Sequence, residues 1–308
     1  MPKYAPIVPL ICLACLFHAA AYAQQMPPAD PSGPPPTLQI GIQTGYQTEG
    51  LRWSIAGNLQ GESPNIYSEL IWKHVNGLLC AADVRWKVWR SLEVYAHFSM
   101  ASISGGKVTD TDYHGDNRTG VAYYGYFDAG RGNVLSGELR VGYRLSLGAG
   151  ITLTPAIGYG ADRQLLYILP YAGNAPSTLN SSYDALWKGF TGSLSAGFPL
   201  NRRWEVDPSI SYHQVALTGT ADWNLIDNFQ HPVSFRDHAN GFGVVPDLAI
   251  VYRLRNHWSV FVHGSYGYWR TGAGVDELYM SSGTTSLTQY NGCHRSGGDA
   301  GLGFRLSL

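Results

Sequence analysis

The chain has 308 residues and a formal net charge of −1, which excludes an electrostatic case for nucleic acid. Charged residues make up only 14%, while 37 glycines, 20 tyrosines and 9 tryptophans suit tight turns and interfacial aromatic belts. Of the four cysteines, Cys12 and Cys15 lie in the amino-terminal apolar run, and the other two, Cys80 and Cys293, lack metal-ligand spacing.

The first element is a leader. Lys3 precedes an apolar run from Ile7 to Ala20 that ends in Ala21-Tyr22-Ala23, a small-x-small cleavage pattern. Residues 1–23 therefore read as a signal peptide that removes Cys12 and Cys15. Residues 24–37, rich in proline, cannot join a ladder and read as a periplasmic lead-in. No later apolar stretch is long enough for a spanning helix, so membrane insertion must use strands.

From 38 to 308 the pattern is alternation. In Asp83-Val84-Arg85-Trp86-Lys87-Val88 charged and apolar side chains take turns, as in a transmembrane barrel with a lipid face and a wet lumen. The same pattern recurs in 138–145 and 247–254, at Trp258, Val260 and Val262, and from Leu302 to Leu308. The expectation is an all-β, antiparallel up-and-down transmembrane barrel of about ten strands. Even positions from Leu70 to Val88 and from Leu248 to Leu254, and odd ones from Leu139 to Leu145, should face lipid. Short turns are expected around Trp89-Arg90, Gly148-Ala149-Gly150, Asn201-Arg202 and Arg255-Asn256 on the periplasmic side, where an even strand number also puts both termini. Long outer loops are expected at 50–66, 104–134, 165–183, 217–240 and 271–296. Cys80 takes lipid-facing parity and Cys293 a Gly-rich loop, so no bridge joins them.

With these strands placed, the chain resembles the omptins, bacterial outer-membrane endopeptidases. The resemblance is carried by Ile40-Gly41, Glu49, Ser68 through Lys73, Gly105-Gly106 ahead of an Asp-x-Asp, Gly158-Tyr159 leading to Arg163, and a loop motif at Asp222. It implies a ten-stranded barrel whose mouth holds two catalytic pairs facing each other. Asp110 and Asp112 match the aspartate pair. Asp222 matches the acid of the second pair, but the family histidine falls on Asn224, whose amide cannot accept a proton at neutral pH. Other mouth histidines, His114, His231 and His238, read as exposed loop residues.

The same resemblance assigns substrate selection to Glu49 and to a second acid, replaced here by Thr220. It places lipopolysaccharide, which the activity would require, on Tyr159 and Arg163, with Lys188 nearby and Ala161 and Leu186 where the family carries charge. No metal or other cofactor is implied. The reading is a degenerate omptin-like barrel with weak or no proteolysis and a surface binding or adhesion role, its partners being membrane lipid, lipopolysaccharide and a peptide or surface ligand. The alternative is an active aspartic-type endopeptidase cleaving near basic residues. A pore ranks below both, because inward charges can pair across so narrow a lumen.

Overall fold

The computed structural model describes residues 37–254 and 257–308. The expected leader, all of the proline-rich stretch except Thr37, and the turn at Arg255-Asn256 lie outside the described residues. Ten antiparallel staves form the wall: β1 (Leu38–Ile55), β2 (Ser68–Trp89), β3 (Leu92–Gly115), β4 in three pieces (Thr119–Asp128, Gly132–Tyr143, Leu145–Gly148), β5 (Ile151–Ile168), β6 (Ser181–Pro199), β7 (Trp204–Asp222), β8 (Phe235–Arg253), β9 in two pieces (Trp258–Thr271, Gly274–Tyr279) and β10 (Thr285–Ser307). Each pairs with the next, and β1 closes on β10 from Gln39↔Ser307 to Ile55↔Tyr290. Among the described residues closure leaves no sheet edge in the bilayer, where an unpaired backbone is prohibitive.

The lipid face follows from parity. Leu78, Val84 and Trp86 on β2, Leu139 and Val141 on β4, and Leu248 and Ile250 on β8 are exposed, as their alternation requires. Trp86, Tyr143, Trp204 and Trp258 girdle the end at which Leu38 and Leu308 meet, while Tyr46, Tyr159, Tyr212, Tyr266 and Tyr268 girdle the other.

The expected parity fails at the top of β2. Leu70 and Trp72 are 1% exposed and point inward. His74 takes φ 51, and the register with β3 slips between Lys73 and Asn76, so an extra residue reverses the alternation above the bulge.

The long loops expected from Gly and polar content are mostly strand. About 9–11 residues cross a bilayer, but β2, β3 and β10 have 22, 24 and 23 residues and continue as a ladder beyond the membrane. The outer connections shrink to 56–67, 116–118, 169–180, 223–234 and 280–284. Cys293 accordingly lies buried in β10 rather than in a loop; Cys80 is exposed, and both are free thiols.

Candidate functional site

Asp110 and Asp112 share the parity of Val108, which is fully buried, so both point into the mouth. They stand opposite Leu70 and Ser68 on β2 and opposite Gly125 and Tyr123 on β4. Asp110 Oδ1 is inaccessible and has no hydrogen-bond partner among the described residues. Burial, and then the charge of Asp112, lifts the Asp110 carboxyl to about 7. Burial raises Asp112 as well, against the hydroxyl of Ser68. The Tyr123 phenol is pushed up by burial and by both acids, which places it in the same cluster. Such a pair can hold a proton at neutral pH.

The second expected pair does not face the first. Leu217 and Ala221 on β7 are 1% exposed in the core, so Thr220 and Asp222 alternate to the outer side of the wall. There Asp222 Oδ1 lies 2.6 Å from His231 Nδ1, and this hydrogen bond is the main cause of a raised His231 pKa. His231 is an exposed loop residue, as expected, and it is also held by an acid. Asn224 is occupied elsewhere. Its Oδ1 accepts from the Asn180 backbone N–H at 2.8 Å and from the Ser181 hydroxyl at 3.2 Å, and its Nδ2 donates to the Thr178 carbonyl at 2.9 Å. The amide staples loop 223–234 to loop 169–180.

Between the two walls the mouth is filled. Trp53 on β1 packs on Tyr183, Phe235 and Tyr290 at centroid distances of 5.3, 5.7 and 6.1 Å, and Trp72 stacks on Tyr183 at 5.7 Å. Trp223, the residue after Asp222, caps Phe235 at 4.8 Å. Each ring comes from a different stave or loop, and every pair adds about 0.5–1.5 kcal/mol beyond its buried area. Below this plug a cavity of ≈1060 Å³ runs from Thr37 and Leu308 up to Glu49, Trp269 and Arg295.

Glu49 lies beneath the plug, 6% exposed. Its Oε2 accepts from Arg295 Nε at 3.0 Å, and its Oε1 accepts from the Gln164 amide. The acid matched to substrate selection is already neutralised by the barrel's own guanidinium.

A further acid pair lies within the plug. Asp237 on β8 and Asp276 on β9 are register partners and are 0% and 3% exposed. Asp237 Oδ2 accepts from the Tyr183 hydroxyl at 2.7 Å and Asp276 Oδ2 from the Thr288 hydroxyl at 3.1 Å, while Oδ1 of each lacks a donor among the described residues. Burial drives both pKa values up, and the charge of Asp276 drives Asp237 further. Among the described residues no cation pairs with either acid, and two buried carboxyls so placed cannot both ionise, so the pair keeps a proton. Gly219 makes room for it, since a Cβ there would collide with the Tyr183 hydroxyl. Sequence reasoning missed Asp237, Asp276 and Arg295; their inward parity on adjacent strands was the available signal.

On the lipid face Tyr159 is exposed and meets Phe190 edge-on at 5.5 Å. Arg163 forms a two-pronged ion pair with Asp184, Nη2 to Oδ2 at 2.6 Å and Nε to Oδ1 at 2.8 Å. Lys188 stands exposed on β6.

A family described as Pom, Protochlamydia outer membrane protein, matches residues 41–298. No curated protein matches the chain. Among solved structures, the outer membrane protease OmpT from Escherichia coli is similar at a TM-score of 0.70 and 12% identity over 92% of this chain and 99% of that one, a likeness of fold alone. The translocator domain of autotransporter NalP from Neisseria meningitidis, at 12% identity over 99% of each chain, and the outer membrane protein OprG from Pseudomonas aeruginosa, at 9% over 89% of this chain and 98% of that one, match at TM-scores of 0.39 and 0.40. The chain is a β-barrel of the outer membrane and belongs to the Protochlamydia outer membrane protein family.

Proposed function

We propose that this barrel binds at the cell surface and does not cut peptides. The observation that carries this reading is the aromatic plug: Trp53, Trp72, Tyr183, Phe235 and Tyr290 occupy the space in which a substrate would lie between Asp110 and Asp222. Two further arrangements support it. Asp222 is on the outer side of the wall, and Glu49 is bound to Arg295. A binding role is supported by the ladder that stands above the membrane, where Tyr67, Val121 and Tyr124 are 49%, 60% and 61% exposed. Exposed tyrosines on a rigid hairpin suit recognition of a protein surface.

The alternative, an aspartic-type endopeptidase, would rest on Asp110 and Asp112, with Tyr123 beside them. Incubating the refolded barrel and lipopolysaccharide with a mixed library of peptides containing Lys and Arg separates the two. The binding reading predicts no cleavage above a blank. Cleavage that disappears in Asp110→Ala would establish the endopeptidase instead.

A further inference from the structure

Arg52, His294 and Arg270 stand in a row across three staves. The register pairs Arg52 on β1 with His294 on β10, and His294 with Arg270 on β9. Neighbouring staves lie about 4.8 Å apart, so the three side chains share one patch. Leu51, Trp53, Cys293, Arg295, Trp269 and Thr271, which flank them along the strands, are all buried. By alternation the three themselves point outward.

Their height on the barrel matters. Arg270 comes two residues after Tyr268, at the upper aromatic girdle, and the Tyr268 ring meets His294 edge-on at 4.8 Å. The row therefore sits just above the hydrocarbon, at the level of lipid head groups. Among the described residues no carboxylate lies within ion-pair distance of Arg52 or Arg270. Burial first, and then the charges of Arg52 and Arg270, hold the His294 pKa below its ordinary value. An uncompensated positive field at this height calls for an external anion. Arg163, the rim arginine pointed to by the omptin resemblance, differs because Asp184 already neutralises it.

We propose that Arg52, Arg270 and His294 form a site for the phosphate groups of an outer-leaflet glycolipid of the lipopolysaccharide type, with Tyr268 against the apolar part of the same molecule. Guanidinium groups bind phosphate oxygens in pairs, which gives geometry as well as charge. The free arginines thus move the lipid contact to the β9–β10–β1 side of the barrel.

Binding of fluorescent lipopolysaccharide to the refolded full chain tests the site. Arg52→Gln with Arg270→Gln should weaken binding roughly 30-fold, about a factor of five for each basic residue near an anionic surface. Arg52→Lys with Arg270→Lys should keep most of the affinity, which guards against a folding artefact, and Arg163→Gln should change little. A dephosphorylated glycolipid should bind no better to wild type than to the double Gln variant, and inorganic phosphate in large excess should not displace the lipid. Wild-type affinity in the folded double Gln variant would overturn the proposal, as would equal binding of the dephosphorylated lipid. Displacement by inorganic phosphate would overturn the choice of a lipid as occupant.

Discussion

The guanidinium of Arg295 on β10 lies 3.0 Å from the carboxylate of Glu49 on β1, inside the barrel and under the aromatic plug. Both are buried, at 6% and 7% exposure, so neither ion is well hydrated when its partner is removed. Removing one partner of such a pair costs about 3–5 kcal/mol, because a charge is left uncompensated. Arg295→Met alone should lower thermal stability by that order, whereas Arg295→Met combined with Glu49→Leu should recover part of it, since Asp162 and the buried Gln164 amide each lose a partner. Heat-dependent migration of the refolded barrel on a denaturing gel reads both.

The acid pair Asp237 and Asp276 makes stability depend on pH in a direction opposite to a salt-bridged carboxylate. Their folded pKa values are raised, so between the unfolded value near 4 and the folded value the folded state holds the extra proton. Stability is fully present below about pH 4 and falls as the pH rises through the folded value. Asp110, lifted to about 7, adds to the same trend. Asp237→Asn can still accept from Tyr183 and can donate to Asp276, so it should flatten the profile. Melting temperatures across the pH range, for wild type and variant, check the sign.

Parity sets a third expectation. Val84 faces lipid and Arg85 the lumen. Val84 is the first outward position inside the Trp86 girdle, so Val84→Arg should cost about 1–2 kcal/mol, below the value for a midplane site. The bulge at His74 predicts the reverse order higher up: a spin label at Leu70 should be shielded from lipid-soluble relaxers, and one at Ile71 less so.

Asn224→His should not create a protease. The substitution removes the contacts to Asn180, Ser181 and Thr178, which costs roughly 1–2 kcal/mol of loop stability, and the new ring stands against loop 169–180 rather than in the Asp110 cluster. Peptide hydrolysis by this variant should match the blank. A large gain in cleavage would show that the walls approach each other.

How much of this was legible in the sequence depended on whether an argument stayed within one strand. Asp83 to Val88 reveal the barrel and its lipid face because alternation needs only neighbours. Leu70 and Trp72 broke the same rule because one bulged residue, His74, reverses every side chain above it. The inward direction of Asp110 and Asp112 was implied by the family resemblance. Asp222 was placed with them by the same resemblance, yet Leu217 and Ala221 claim the inner face of β7. Long-range partners were the least visible. Glu49 and Arg295 meet through the closing β1–β10 ladder, and Asp237 and Asp276 through the β8–β9 ladder, pairings that no local pattern spells out.

The aromatic plug closes the mouth, and Cys293 is a natural probe of that closure. This thiol is 2% exposed within the plug cluster, and burial pushes its pKa up to about 12, so it should be inert in the folded barrel. A bulky, membrane-impermeant maleimide applied to the folded protein, with the Cys293 peptide read by mass spectrometry, measures closure directly. No labelling is expected until the barrel is heat-unfolded; labelling of Cys293 in the folded state at the unfolded rate would mean that the mouth is open.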